Sequence, residues 1–303
     1  MTNLMLAFDA LPDLESTANQ PGHLKRLAIE NRKIIKDRQL WETYYHALQP
    51  ALIKYYDSVN AGDFLASSES SGYRKWADEN NIARSLQLAF ELFAVDKAPA
   101  GPVLVLGTGS GFDTAIPAAS FQQRKFIATD ASPIACQNAS QLLETLKLGN
   151  AEVRNIDYQS YLEELPHDSL AAVISNWTMS GSLNPLETLA KIYAKLAPNG
   201  LLAITESPGS RLSKDAYDEL GIARLLERRG DGIAPKIYFR QLATSLKSAG
   251  FRIIATSKGV ADASDTVIAI KSDRAKTMQA HEVLAAANVR LERSRRMLAD
   301  LFS

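Results

Sequence analysis

Only one cysteine, Cys136, occurs in the 303 residues. A single thiol closes no internal disulfide and builds no thiolate metal cage, so nothing directs the chain to an oxidising compartment. Histidine is nearly as scarce. His23, His46, His167 and His281 are scattered, and none has metal-ligand spacing. A basic excess is missing too: Lys plus Arg and Asp plus Glu both count 34, so the formal net charge is zero. Phosphate neutralisation supplies much of the affinity of nucleic-acid binders, and a dedicated one is therefore disfavoured. The N-terminal stretch MTNLMLAFDALPDLES has no basic region before it and is interrupted by Asp9, Asp13 and Glu15. It does not read as a secretory signal, and no apolar run reaches membrane-spanning length. The expectation is a soluble cytoplasmic protein with no nucleic acid and no membrane as partner. No internal repeat and no low-complexity tract is visible.

What is present is ordinary globular composition, with hydrophobic types at 46% and charged types at 22%. That suits one large domain with extensions, or two modest domains. From about Pro21 to Phe93 the chain reads as helices without strands. His23–Leu40 is charged, Trp41–Tyr56 is aromatic-rich, and NAGDFLASSESSGY gives a loop signal. Asn81–Phe93 then places Ile82, Leu86, Ala89, Phe90 and Phe93 at helical spacing, and DKAPAGP closes the region.

After Pro102 the texture changes. Short apolar runs at Val103–Leu106, Lys125–Thr129, Ala151–Asn155, Ala171–Ser175 and Leu201–Thr205 alternate with helices. Ser132 and Pro133 suit the start of one helix and Gly149 its end; Asn184, Pro185 and Glu187 suit the start of another. Such alternation argues for a parallel sheet covered on both faces. Further on, a helix is expected over Lys214–Arg228 and another from Tyr238 to Ala249. Strands follow at Phe251–Thr256 and Thr266–Ile270, then one polar helix. In that last helix Leu284, Leu291 and Leu298 recur every seven residues, which suggests self-association as a homodimer, with packing on its own domain as the near-equal alternative.

The first apolar run leads into Gly107-Thr108-Gly109-Ser110-Gly111. Glycines between a strand and a helix let backbone approach a ligand, with amides at the positive end of the helix. A dinucleotide fingerprint would want its third glycine at position 112, which is Phe112. Here the spacing is G-x-G-x-G.

With that loop, Asp130 closing FIATD, Asp157 after the third run, AAVISNWTMSG, and the LAPNG turn before LLAITES, the chain resembles the class I S-adenosylmethionine-dependent methyltransferases over roughly residues 99–271. The resemblance implies a Rossmann-like, doubly wound α/β fold. Its mostly parallel seven-stranded sheet would carry an all-helical N-terminal lid and a C-terminal helix. It implies a lid or substrate region at 1–98, a cofactor domain at 99–272 with an insertion at 207–236, and the terminal helix at 273–303. The implied cofactor is S-adenosylmethionine. Gly107, Thr108, Gly109, Gly111 and Asp113 would wrap its methionine part. Asp130 would lie on the ribose and Asp157 on the adenine, with Ala131 and Tyr158 beside them as further cofactor-binding residues. Asn176 and Trp177 would stand beside the methyl, Asn176 also able to hold the cofactor's amino group. The plainer reading makes Asp130 a helix cap, Asp157 a solvated loop acid and Trp177 a packing residue. The family's acidic residue two places before the first glycine is replaced by Val105, with Asp113 a partial substitute, and Pro117 should leave the helix after the loop short or kinked.

The implied activity is transfer of the methyl group to a small molecule, an in-line displacement that needs alignment more than a base. Base candidates are Tyr45, His46, Tyr44, Tyr238 and Glu206. Val105 keeps open attack on another carbon of the sulfonium, by aminocarboxypropyl transfer or cyclisation with release of methylthioadenosine. A nicotinamide oxidoreductase and a non-catalytic sensor are the readings from other classes.

Overall fold

The computed structural model describes residues 53, 57, 60–62, 65, 68–79, 81–179, 182, 185–206, 242–260 and 264–303. Two helices come first, α1 (Ser68–Glu79) and α2 (Ile82–Lys97). Strand and helix then alternate through β1 (Val103–Leu106), α3 (Phe112–Ser120), β2 (Phe126–Asp130), α4 (Pro133–Thr145), β3 (Ala151–Asn155), α5 (Tyr158–Glu164), β4 (Leu170–Asn176), α6 (Pro185–Lys195) and β5 (Leu196–Glu206). After residue 241 come α7 (Leu242–Ser248), β6 (Arg252–Val260), β7 (Ser264–Ile270) and α8 (Ala280–Phe302). The strands make one seven-stranded sheet in the order β3-β2-β1-β4-β5-β7-β6. All pairs from β3 to β5 are parallel, and β7 runs antiparallel between β5 and β6. The order reverses between β1 and β4, and the crevice at the carboxyl ends of strands beside such a switch is where open α/β sheets bind ligands.

Alternate residues of each strand feed two core layers. Val103 and Val105 of β1 and Ile174 of β4 join Leu88, Leu92 and Phe112 on one face. Leu104, Leu106 and Val173 join Leu162, Leu189 and Leu246 on the other. β1 and β4 are buried along their whole length, as a parallel sheet covered by helices on both faces requires.

Several helix ends follow the sequence. Ser132 caps α4 by accepting from the Ala135 N–H at 3.0 Å, with Pro133 in its first turn, and Asn81 caps α2. α3 is nine residues long with Pro117 inside it, the short helix expected after the loop. Three readings need correction. The serine-rich stretch taken as loop runs into the first half of α1, because burying Tyr73 and Trp76 (both 0% exposed) outweighs weak local propensity. α4 stops at Thr145, well before Gly149, and Lys147 takes the left-handed turn at φ 55°. The leucine repeat of α8 faces its own domain: Leu291 and Leu298 are buried with Val283 and Ala287 in the core shared with α2, and Leu284 packs against it. The helices expected at 23–40 and 214–228, and most of 41–56, lie outside the described residues.

Candidate cofactor and active site

The glycine loop connects β1 to α3 with Gly107, Gly109 and Gly111 all at positive φ (62°, 52° and 96°). Space as well as conformation demands glycine. A Cβ on Gly107 would stand 2.7 Å from Thr178 Oγ1, and one on Gly111 2.7 Å from the Cα of Ala139. Thr108 inside the loop is buried, its hydroxyl 2.7 Å from that of Thr114. Asp130 holds the loop from the end of β2. Its Oδ2 accepts from the Gly109 N–H at 3.0 Å and its Oδ1 from the Ser132 N–H at 2.9 Å. Burial raises its pKa, against the lowering by those amides. The Ala131 N–H also donates to this carboxylate, whose roughly four acceptor positions leave capacity for a ligand hydroxyl. Ala131 is half-buried and its carbonyl accepts from Asn155 Nδ2 at 3.2 Å. From outside the sheet, Asp57 Oδ1 accepts from the Ser132 hydroxyl at 2.5 Å, closing over the same helix end.

Asp157 follows β3 and is half-buried. Its carboxylate caps α5 by accepting from Gln159 N–H at 2.9 Å and Ser160 N–H at 3.2 Å, so a structural task accompanies any contact with adenine. The neighbouring Tyr158 hydroxyl donates to the Thr178 carbonyl at 3.2 Å, which ties the end of β3 to the turn after β4.

That turn begins at Asn176. Trp177 has φ 51°, a left-handed conformation uncommon for a bulky residue, and is half-buried rather than a core residue. Glu206, at the end of the adjacent β5, receives the Met179 N–H at 2.6 Å and also the Thr178 N–H. Complete burial pushes its pKa up to about 8. Proposed from sequence as a base, Glu206 instead fixes the turn that carries Trp177.

The least expected feature lies where β4, α2 and α3 meet. Asn176 Nδ2 donates to Glu91 Oε1 at 2.8 Å and to Asp113 Oδ2 at 2.7 Å. Gln87 Nε2 donates to the same Glu91 oxygen at 2.9 Å and to Asp113 Oδ1 at 3.4 Å. The Tyr73 hydroxyl donates to Asp113 Oδ1. Arg84 donates to Gln87 Oε1 at 2.7 Å, and its guanidinium stands 4.5 Å from the ring centre of Tyr73 and 5.3 Å from that of Trp177. Glu91 is 1% exposed, and burial first, then Asp113, holds its pKa well above the carboxylate range. Sequence reasoning placed Asp113 and Asn176 in the site but missed Glu91, Gln87 and Arg84. The available signal was a Gln–Glu pair four apart inside the apolar run LQLAFELFAV. Tyr44, Tyr45, His46 and Tyr238 lie outside the described residues.

Residues 97–224 match the family model described as a methyltransferase domain. Over that stretch the chain is similar to a methyltransferase domain. Solved structures to which the chain is similar include a SAM-dependent methyltransferase from Aquifex aeolicus, 20% identical with TM-score 0.43, the match covering 57% of this chain and 84% of that one. Another is a possible histamine N-methyltransferase from Thermotoga maritima, 16% identical with TM-score 0.41, over 67% of this chain and 95% of that one. A third is the cyclase SpnF, 16% identical with TM-score 0.43, over 88% and 89%. No curated protein sequence matches.

The residues present fit S-adenosylmethionine. The loop has the Cβ-free surface a ligand can approach, Asp130 keeps acceptor capacity for ribose hydroxyls, and buried oxygens of Glu91 and Asn176 have no hydrogen-bond donor among the described residues. Among the described residues no helix is long and apolar enough to cross a membrane.

Proposed function

We propose that this methyltransferase acts on a small molecule, and that the N-terminal helices form one wall of its acceptor site. The carrying observation is the Arg84 guanidinium, which packs on Tyr73 of α1 and on Trp177 after β4 and so ties the N-terminal helices to the end of the central strand. A site walled in this way suits an acceptor that enters whole, and zero net charge gives no overall attraction to a nucleic acid.

When bound, S-adenosylmethionine supplies an electrophilic methyl group on a sulfonium. The chain's part is alignment and exclusion of water. Asp130 accepts from the ribose hydroxyls, the glycine loop carries the backbone N–H groups, and Trp177, fixed by Glu206, presents a flat wall. The alternative reading, attack on the aminobutyrate arm, drew its support from Val105. The carboxyl groups that Val105 does not bring are present nearby in Asp113 and Glu91, and methyl transfer remains the better-supported chemistry.

The test incubates the enzyme with methyl-labelled S-adenosylmethionine and a cell extract split into metabolite, protein and nucleic-acid fractions. Label in the metabolite fraction with S-adenosylhomocysteine as the nucleoside product is expected. Label confined to a macromolecular fraction overturns the acceptor class. Methylthioadenosine forming faster than in an enzyme-free control overturns methyl transfer.

A further inference from the structure

The cluster around Glu91 is short of donors. Both amide hydrogens of Asn176 are committed to Glu91 and Asp113, as are both of Gln87, and the Tyr73 hydroxyl is committed to Asp113. Two buried oxygens still lack a donor among the described residues, Oε2 of Glu91 and Oδ1 of Asn176. Buried acceptors left unpaired are costly, and two carboxylates in one network repel each other. What is missing is a group with several N–H donors and a positive charge, the description of an ammonium.

Position narrows the choice of ammonium. Asn176 lies next in sequence to Ser175, which pairs with Leu106, the residue before the glycine loop. Asp113 stands in the first turn of the helix that the loop opens. Val105 belongs to the core layer that α2 and α3 cover, so Glu91 and Asp113 approach from the side on which a carboxylate at 105 would have pointed. We propose that Glu91, Asp113 and Asn176 receive the α-ammonium group of S-adenosylmethionine, so that the acid absent from β1 has been moved onto α2 and α3. The proposal rests on the cofactor assignment above.

A consequence follows for protons. With the site empty, burial and the neighbouring Asp113 keep the Glu91 carboxyl protonated well above its ordinary range. The charged groups acting on it are Asp113 from α3 and Arg84 from its own helix, with Asn176 and Gln87 as neutral donors. An arriving ammonium takes the place of that proton, so cofactor binding releases it.

The experiment titrates the full chain calorimetrically with S-adenosylhomocysteine, which keeps the ammonium, and with methylthioadenosine, which lacks the amino-acid arm. Wild type is compared with Glu91→Gln, a near-isosteric change that removes the charge and keeps the packing. Glu91→Gln is expected to weaken S-adenosylhomocysteine about tenfold or more, as for a lost hydrogen bond to a charged group. Methylthioadenosine affinity should stay within about twofold on the same reasoning. Repeating the wild-type titration in buffers of different ionisation enthalpy should show proton release that Glu91→Gln lacks. Unchanged S-adenosylhomocysteine affinity overturns the proposal, and so does an equal loss for both ligands, which would mark a structural role. Wild type binding neither nucleoside overturns the cofactor assignment itself, an outcome separate from the other two.

Discussion

Glu206 shows how a single side chain can hold a turn at the expense of stability in alkali. Its carboxyl titrates at about 8 in the folded chain, against an ordinary 4.5, because it is completely buried. The folded state therefore binds an extra proton between those values. The stability so gained is fully present below the lower value and is lost as pH rises through the upper one. Glu206→Gln keeps an acceptor for the turn amides and cannot ionise. Its melting temperature should match wild type near about pH 5 and exceed it increasingly toward about pH 9. Melting curves that stay parallel across that range would refute this. The same scale shows what single letters reveal. Asp113, Asp130 and Asn176 were legible because each stands at a fixed offset from a strand end. Glu91 and Gln87 were not, because they precede the motif and sit in a run whose apolar pattern already explains a helix.

At the scale of elements, α8 gives the clearest lesson. A leucine every seven residues fits a seam between two chains and a seam within one equally well, and sequence spacing does not distinguish them. Here the seam is internal. Leu291 is 3% and Leu298 0% exposed, and Arg290 pairs with Asp96 of α2 at 2.7 Å. Leu291→Ala should thus cost about 2–5 kcal/mol of folding stability, the usual cost of a large-to-small change in a packed core. Denaturant melts measure this, and a loss below about 1 kcal/mol would place that side chain outside the core. β1 to β4 were legible to within a residue, since a buried parallel strand leaves a compact apolar run, whereas β5 starts at Leu196 and takes in the LAPNG stretch read as a turn, and β6 runs on to Val260. α1 was not, because its helix is held by Tyr73 and Trp76 packing on distant elements rather than by its own serines.

For the molecule as a whole, the site draws on both ends of the described chain. The glycine loop, Asp130 and the Glu91–Asp113–Asn176 cluster come from residues 84–176, while α8 braces α2 from behind. Ligand and fold should be linked. S-adenosylhomocysteine at a hundred times its dissociation constant should add about 2.7 kcal/mol to unfolding, and NAD should add nothing. A thermal shift with NAD but not with the homocysteine nucleoside would reverse the assignment of the loop. The sheet order carries one more consequence, for synthesis. Every strand from β2 to β5 pairs with a neighbour already made, yet β5 gains its second partner only when β7 has emerged, after β6. On the ribosome, the nascent sheet thus waits with the β5 edge open while residues 207–263 are translated. An open, apolar edge is a template for wrong pairing. The interval in which this protein most needs a chaperone begins after the glycine loop, Asp130 and the Glu91 cluster have all been made.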